Sequence, residues 1–505
     1  MNRTLINRKN LYLLAVLLVF ATGLAIRFYD LTNPPLDFNP ARQIHSAIIA
    51  RGFYVFLPNS HITGLERDKA WSFSSELWIE PPILEYVTAW TYVLAGNVYL
   101  WIPRIYSILF WTLGGWALYK IMRNLAGKAG ALAALVYYLF LPFGILASRS
   151  FQPDPLMISL LLFSLWILLR WRASPSWKNA ILAGLLCGMA ILVKQVAVFF
   201  VVGAMLPIFL SQLGFKKSIT SLQIWCMGLL SLLPAVGYNI YGLFISGFLK
   251  TQYSLRFFPS LFIDPLFYYR WISKINLTAG WIPVLVAVLS ILFIIGRPKK
   301  WLLAGLFGSY IVYGLGFAYH ISTHDYYQEP LIPLAAIGIG VMAEALISRL
   351  NLSADKWSLA FLTLVVLGGS VFTLFSLRNE MKRIDYRDQP DLWKRLGREM
   401  NYGIPAVVGL FDDYGVRLMY WGLTMPAVWG SSGDIYMRGL AGQQQAQQDI
   451  LTRLAGKRFF IVTDFEELAN QPDLKKVLDT FPVYERGNGY IIYDVDPPSG
   501  AAVKP

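Results

Sequence analysis

The residues that could do chemistry sit in a few short polar stretches between long apolar runs. Pro34-Pro35-Leu36-Asp37-Phe38-Asn39-Pro40-Ala41-Arg42 places a carboxylate just past the first apolar run. Asn39-Pro40 reads as an N-cap and first-turn pair. It opens a short helix with Arg42 and His45 on one face and Ile44 and Ile48 on another. A carboxylate between a membrane helix and an interfacial helix can meet a lipid-borne substrate at the bilayer surface. It can equally cap a turn in a solvated loop. Further on, Ala147-Ser148-Arg149-Ser150-Phe151-Gln152-Pro153-Asp154-Pro155 carries Arg149 and Asp154, and Val193-Lys194-Gln195 carries one lysine. His324-Asp325-Tyr326-Tyr327-Gln328-Glu329 precedes Pro330, and Glu80 precedes Pro81-Pro82. Each has an ordinary reading: a helix-end salt bridge for Arg149 and Asp154, snorkelling for Lys194, an aromatic belt for the tyrosines. An ionisable group within a span costs roughly 2.5–3.5 kcal/mol, less near its ends. Several such groups at separate turns on one side of the membrane therefore predict one shared polar chamber.

The elements that position them are membrane helices. The chain has 505 residues, 56% hydrophobic and 15% charged, against about 45–50% apolar and about 25% charged for a soluble domain. Leu11 to about Arg27 forms the first span, and further runs centre near residues 111, 138, 162, 187, 202, 232, 288, 310, 338 and 367, which predicts about eleven spans. A long first outer loop covers 28–82. Ile83–Ala95 is too short to span comfortably and reads as an interfacial helix started by Pro81-Pro82. The first run lacks a clear small-residue cleavage site and reads as a retained helix.

The net charge of +14 would suggest a nucleic-acid partner in a soluble chain. Its location points elsewhere. Every second loop is basic: Arg3, Arg8, Lys9; Lys120, Arg123, Lys128; Arg170, Arg172, Lys178; Lys216, Lys217; Arg297, Lys299, Lys300; and Arg349, Lys356, with Asp355 the one acid among them. By the positive-inside rule these loops and the N-terminus are cytoplasmic. Asp37, Glu80, Arg149, Asp154, Lys194 and 324–329 then share the outer side. Cys187 and Cys226 both lie in apolar runs, so neither a disulfide framework nor a cysteine metal site is indicated.

Residues 379–505 are polar, with acids and bases in near balance. Residues 406–411, 458–463 and 490–495 read as buried strands, with a helix over 473–481. This predicts a small α/β domain outside the cytoplasm, without a glycine-rich phosphate loop.

In order and sidedness these motifs resemble the GT-C glycosyltransferases of the protein O-mannosyltransferase and lipid A aminoarabinose transferase group (family 39-like). The resemblance rests on Asp37 in the long first outer loop, Glu80-Pro81-Pro82, Arg149 to Pro155, Lys194, and His324 to Gln328, over about residues 11–378. Where the mannosyltransferases carry adjacent acids, Asp37 is followed by Phe38. The resemblance implies a mainly α, polytopic membrane fold with a transmembrane domain over 1–378 and an extracytoplasmic α/β domain over 379–505. It implies a multi-pass enzyme of the plasma (inner) membrane taking a polyprenyl-phosphate sugar as donor and a lipid, glycan or protein as acceptor. Phosphate leaves readily, so fixed cations suffice to stabilise it, and Arg149 or Lys194 can supply them. The acceptor needs a general base, with Asp37 the first candidate and Asp154 the second. Attack opposite the phosphate inverts the anomeric centre. Arg42, Glu80, Arg149, Lys194, His324, Asp325, Tyr326, Tyr327 and Gln328 are the expected substrate-binding residues. No cofactor is required and no clustered ligands call for a metal. The alternatives are a transporter or flippase, against which the absence of an internal repeat speaks, and a scaffold carrying the outer domain.

Overall fold

The computed structural model describes residues 8–75, 79–250, 256–349, 356–442 and 450–496. Arg3 and Asp355 of the expected inner loops lie outside these. The chain forms two compact units: 1–31, 79–81 and 104–384 in the first, 32–78, 82–103 and 385–505 in the second.

The first unit is helical. Helices occur at all eleven expected centres: Arg8–Phe28, Trp101–Leu125, Gly127–Phe140, Asp154–Ala173, Trp177–Val193, Ala197–Thr220, Leu222–Ile240, Trp281–Phe293, Arg297–Gly316, Leu331–Arg349 and Lys356–Arg383. Among the described residues, four stretches are individually long and apolar enough to cross a membrane, or five with the pair Pro265–Thr278 and Trp281–Phe293, bent by 96°. The polytopic character holds at that level; the expected count of about eleven is not reached by length and hydropathy alone. Leu331–Arg349 packs on Gly127–Phe140, and Ala197–Thr220 on Arg297–Gly316. Small residues permit both approaches, as between membrane helices generally. A Cβ on Gly130 would lie 2.5 Å from the Gly340 carbonyl oxygen, and one on Gly305 would lie 2.4 Å from that of Gly203.

Buried arginines brace the turn after helix Pro142–Ala147. Arg27, at the end of the first helix, is fully buried and donates from Nε to Ser148 Oγ at 2.7 Å. Its Nη1 donates to the Gly23 and Leu139 carbonyls at 2.6 and 2.9 Å. Arg104, equally buried, donates to the carbonyls of Arg149 and Leu31 at 3.0 and 3.2 Å. Charge-assisted bonds to carbonyls are the way a guanidinium is tolerated where water is scarce. They hold Ser148 and Arg149 in place.

In the second unit, helix Pro40–Tyr54 packs on Gly64–Ser75, Ile83–Ala95 and Val416–Gly422. Asn39 stands at the N-cap and Pro40 in the first helical turn, as expected. Asn39 adopts a left-handed conformation (φ 44°) that turns the chain, and its side chain makes no capping bond. Ile83–Ala95 has the expected bounds.

The C-terminal part carries a five-stranded sheet: β1 (Ala406–Leu410), β2 (Ala427–Val428), β3 (Lys457–Val462), β4 (Val483–Gly487) and β5 (Tyr490–Asp494), in the order β2-β1-β3-β5-β4. β1 is parallel to β2 and β3, while β5 is antiparallel to β3 and β4. The three expected strands are β1, β3 and β5, and the expected helix spans Pro472–Leu478. Their buried residues form the core: Val408, Leu410, Phe460, Val462, Leu474, Leu478 and Tyr493. β2 and β4 were not foreseen. β2 has two exposed residues and no periodicity; β4 is a mostly exposed edge strand containing Glu485 and Arg486. The Asn488-Gly489 pair between β4 and β5 is a hairpin signal that the sequence offered.

An ionic cluster ties the hairpin to helix Gln389–Glu399. Arg395 Nη2 donates to Glu485 Oε1 at 2.8 Å and its Nη1 to Glu399 Oε1 at 3.0 Å. The bond from Arg395 comes first in holding the Glu485 carboxyl below its usual range; the Tyr490 hydroxyl adds to it, and partial burial opposes both. A carboxyl depressed in the folded state stabilises above its unfolded pKa of about 4.3, and that contribution is lost as pH falls through the folded value. Glu485→Gln is therefore expected to lower the unfolding temperature at pH 7, with the difference from wild type shrinking as pH falls below about 4. The pair is partly exposed, so the effect at pH 7 is below about 1 kcal/mol. Thermal unfolding of both proteins across that range checks it.

Candidate functional site

In the first unit, three separate turns meet. The first ends the short helix Pro142–Ala147 and opens Asp154–Ala173. Pro155 follows Asp154 in the first helical turn, where a proline costs no hydrogen bond, so the Asp154 carboxylate stands at a helix N-terminus. The second is the break at Lys194, extended (φ −153°, ψ 117°), between Trp177–Val193 and Ala197–Thr220. Lys194 Nζ donates to Asp154 Oδ1 at 2.6 Å. Both residues are buried, at 6% and 1% exposure. Asp154 Oδ2 is buried too and has no hydrogen-bond partner among the described residues.

The third turn supplies aromatic rings. Lys194 Nζ lies 5.1 Å from the Tyr326 ring centroid and 5.5 Å from that of Tyr327. Ring faces attract a cation, more so when it is desolvated. Arg256 Nη1 donates to Tyr327 Oη at 3.1 Å. His324 contacts both tyrosines, and His320 stacks on Tyr327 at 5.3 Å and on His324 at 5.8 Å. Burial, with Arg256 and His324 nearby, pushes the His320 imidazole down to about 3, so it is neutral at physiological pH. Its Nδ1 is buried without a partner among the described residues. Tyr313 stacks parallel to Tyr327 at 6.4 Å and donates to its carbonyl at 3.2 Å, fixing the turn from below.

Of the residues expected from sequence, Asp154, Lys194, His324, Tyr326 and Tyr327 come together here. Asp325 closes its own turn, its Oδ1 accepting from the Tyr326 amide at 2.7 Å. Gln328 is fully buried, bonded to the Tyr310 hydroxyl and donating to the Ile321 carbonyl at 2.7 Å, so it braces the turn. Arg149 is buried and donates to the Asp30 carbonyl at 3.2 Å. Glu80 is half-buried in a short segment that Tyr238 holds through the Ile79 carbonyl at 3.1 Å.

Asp37 and Arg42 belong to the second unit. Asp37 is half-buried. Gln43 Nε2 donates to the Phe38 carbonyl at 2.6 Å and pins the turn between Asp37 and helix Pro40–Tyr54. The Tyr386 phenol is raised by burial first, then by the Asp37 charge. Arg417 opposes the shift and Asp412 adds to it, so the Asp37 carboxylate acts electrostatically at Tyr386.

The sequence reading missed Arg256 and His320. His320 was legible as the i−4 neighbour of His324, the spacing that puts two side chains on one helical face; Arg256 stands in no motif. No group of three or more metal-ligating residues occurs among the described residues, and both cysteines are free.

Residues 79–240 match the family model of dolichyl-phosphate-mannose-protein mannosyltransferases. The match includes Glu80, Arg149, Asp154 and Lys194. No curated protein matches the sequence. Among solved structures, ArnT from Cupriavidus metallidurans bound to undecaprenyl phosphate is similar with a TM-score of 0.59 at 15% identity, over 96% of this chain and 98% of that one. Its apo state gives 0.57 at 16% identity, over 95% and 97%. The archaeal oligosaccharyltransferase AglB from Archaeoglobus fulgidus, in complex with an inhibitory peptide and a dolichol-phosphate, gives 0.57 at 12% identity, over 98% of this chain and 75% of that one. The fold is that shared with ArnT and AglB, in agreement with the mainly helical membrane fold that the sequence resemblance implied.

Proposed function

We propose that this protein moves a sugar from a polyprenyl-phosphate donor to a hydroxyl or amine acceptor at the outer face of the plasma (inner) membrane. It acts as an inverting glycosyltransferase. The reading is carried by the buried Lys194–Asp154 pair at 2.6 Å beneath Tyr326 and Tyr327. Support comes also from the mannosyltransferase family match and from two neighbours of the same fold that carry a polyprenyl or dolichol phosphate.

The acceptor oxygen or nitrogen attacks the anomeric carbon from the face opposite the phosphate. The bond from that carbon to the phosphate oxygen breaks, polyprenyl phosphate departs, and the acceptor proton passes to a base. Lys194 stabilises the negative charge that builds on the phosphate, with Arg256 and Arg149 as further cations. A preorganised cation in a site of low polarity does this without reorganising solvent. Asp154 Oδ1 accepts from Lys194 Nζ and orients it. Asp37 is the first choice for the proton acceptor and Asp154 the second. Tyr326, Tyr327 and His324 pack on the sugar or the first isoprene units, with Arg42 and Glu80 also on the outer side.

In this reading the eleven helices each cross the membrane, the N-terminus is cytoplasmic, and the functional division falls between 1–378 and 379–505. The second part is extracytoplasmic and serves acceptor choice. The test is purified protein in nanodiscs with a radiolabelled panel of polyprenyl-phosphate sugars and cell-envelope extract as acceptor. Release of polyprenyl phosphate by the wild type, with label passing to the extract, is the expected result. No turnover with any donor would overturn the reading.

A further inference from the structure

The second unit holds a cluster of buried polar groups that the reaction does not use. Arg51, in the last turn of helix Pro40–Tyr54, is 4% exposed. Its Nη1 donates to the Tyr420 carbonyl at 2.7 Å and lies 3.6 Å from Glu66 Oε1. The guanidinium carbon sits 4.1 Å from the Tyr420 ring centroid. The opposite edge, Nε and Nη2, is buried with no hydrogen-bond partner among the described residues, as are Tyr54 Oη, Thr88 Oγ1 and Tyr92 Oη. Tyr54 and Tyr92 meet edge to face at 6.0 Å. Thr88 and Tyr92 lie one turn apart on the buried face of Ile83–Ala95. Burial lifts the Tyr92 phenol well above its usual range, with Tyr420 adding to the shift and Arg51 opposing it, so Tyr92 is in electrostatic reach of both.

Leaving a buried polar atom unsatisfied costs about 1–3 kcal/mol, more if it is charged. Five in one place on three side-chain types are more than a native unit carries without a partner. The donors have a pattern. Nε–H and Nη2–H of one guanidinium run side by side and match two oxygens of one carboxylate or phosphate. The three hydroxyls can turn their protons toward the same oxygens. Glu66 faces the other edge, and its side chain is 47% exposed, so it screens the Arg51 charge only weakly.

We infer that Arg51, Tyr54, Thr88 and Tyr92 bind a small oxyanion, a carboxylate or a phosphate, gripped by the free edge of the guanidinium. Bound there, it clamps helix Pro40–Tyr54, which follows Asp37, against Ile83–Ala95 and Val416–Gly422. The site stands independently of the transferase reading, because binding is read without turnover.

The experiment is thermal unfolding of the full chain in nanodiscs, followed by tryptophan fluorescence, titrated with sodium acetate or sodium phosphate against sodium chloride at constant ionic strength. A specific ligand raises the unfolding temperature saturably; a general salt effect rises without saturating. The expected result is a saturable rise with one of the two anions, which tells carboxylate from phosphate. Apparent affinity should fall about tenfold in Tyr54→Phe or Tyr92→Phe, each losing one hydrogen bond to a charged group, and binding should vanish in Arg51→Gln. Should Arg51→Gln not fold, the two Phe variants decide, since each removes one oxygen and keeps its ring. A flat response to both anions, or an equal rise in wild type and the Phe variants, overturns the proposal and leaves buried water as the partner of these groups.

Discussion

Asp37→Asn is expected to cut the rate of sugar transfer by about 10²–10⁴-fold, the usual worth of a general base, with donor affinity and unfolding temperature close to wild type. Asn keeps the shape of Asp and its ability to accept hydrogen bonds, but it cannot take the acceptor proton at neutral pH. Other contacts also hold the surrounding turn. Pro34, Pro35, Leu36 and Phe38 are buried around it, and the Gln43 side chain holds the Phe38 carbonyl at 2.6 Å. A second readout comes from Tyr386, whose phenol the Asp37 charge raises. Removing that charge lets the Tyr386 pKa fall, visible as an earlier onset of the tyrosinate absorbance difference between variant and wild type. Transfer by Asp37→Asn at the wild-type rate would remove Asp37 as base and send the search to Asp154.

Much of the first unit was legible because membrane helices obey one strong rule, that backbone groups must be satisfied within the segment. Helices therefore appear at every expected centre, and the break at Lys194 falls between two of them. The number of crossings was less legible. Gly127–Phe140 has 14 residues and Trp177–Val193 has 17, both short for a span of about 20 residues. The same limit applies to the sheet: β1 and β3 announced themselves as continuous apolar runs, as buried parallel strands do, whereas edge strand β4 reads as polar loop. In the site, residue types were legible and their partners were not. Lys194 and Asp154 are 40 residues apart, and nothing in the chain says that they pair. Gln328 looks as available for substrate as Tyr327, yet it is bonded to the Tyr310 hydroxyl and the Ile321 carbonyl. Side-chain direction follows from packing, which periodicity does not encode.

The pairing of Lys194 with Asp154 makes Lys194 a sensitive position in both fold and site. Lys194→Ala is expected to abolish measurable donor binding and to destabilise the protein at the same time. The two effects have different causes. Donor binding falls because the phosphate loses a buried cation, and truncating one partner of a buried charge pair costs about 2–5 kcal/mol, a factor of about 30–5,000 in affinity. Stability falls because Asp154 is left charged, 1% exposed and without a counter-ion, an arrangement that typically costs about 3–5 kcal/mol. The double variant Lys194→Ala with Asp154→Asn separates them. It leaves no buried charge behind, so most of the unfolding temperature should return, while donor affinity should stay as low as in the single variant because the cation is still missing. Asp154→Asn alone leaves Lys194 without its carboxylate but with the faces of Tyr326 and Tyr327 at 5.1 and 5.5 Å. It should therefore be destabilised while still binding the donor, whose phosphate replaces the lost partner. Polyprenyl-phosphate binding measured by fluorescence quenching, alongside thermal unfolding of the four proteins, gives both readouts. Recovery of donor binding together with stability in the double variant would show that Lys194 serves only the fold, and the phosphate contact would pass to Arg256.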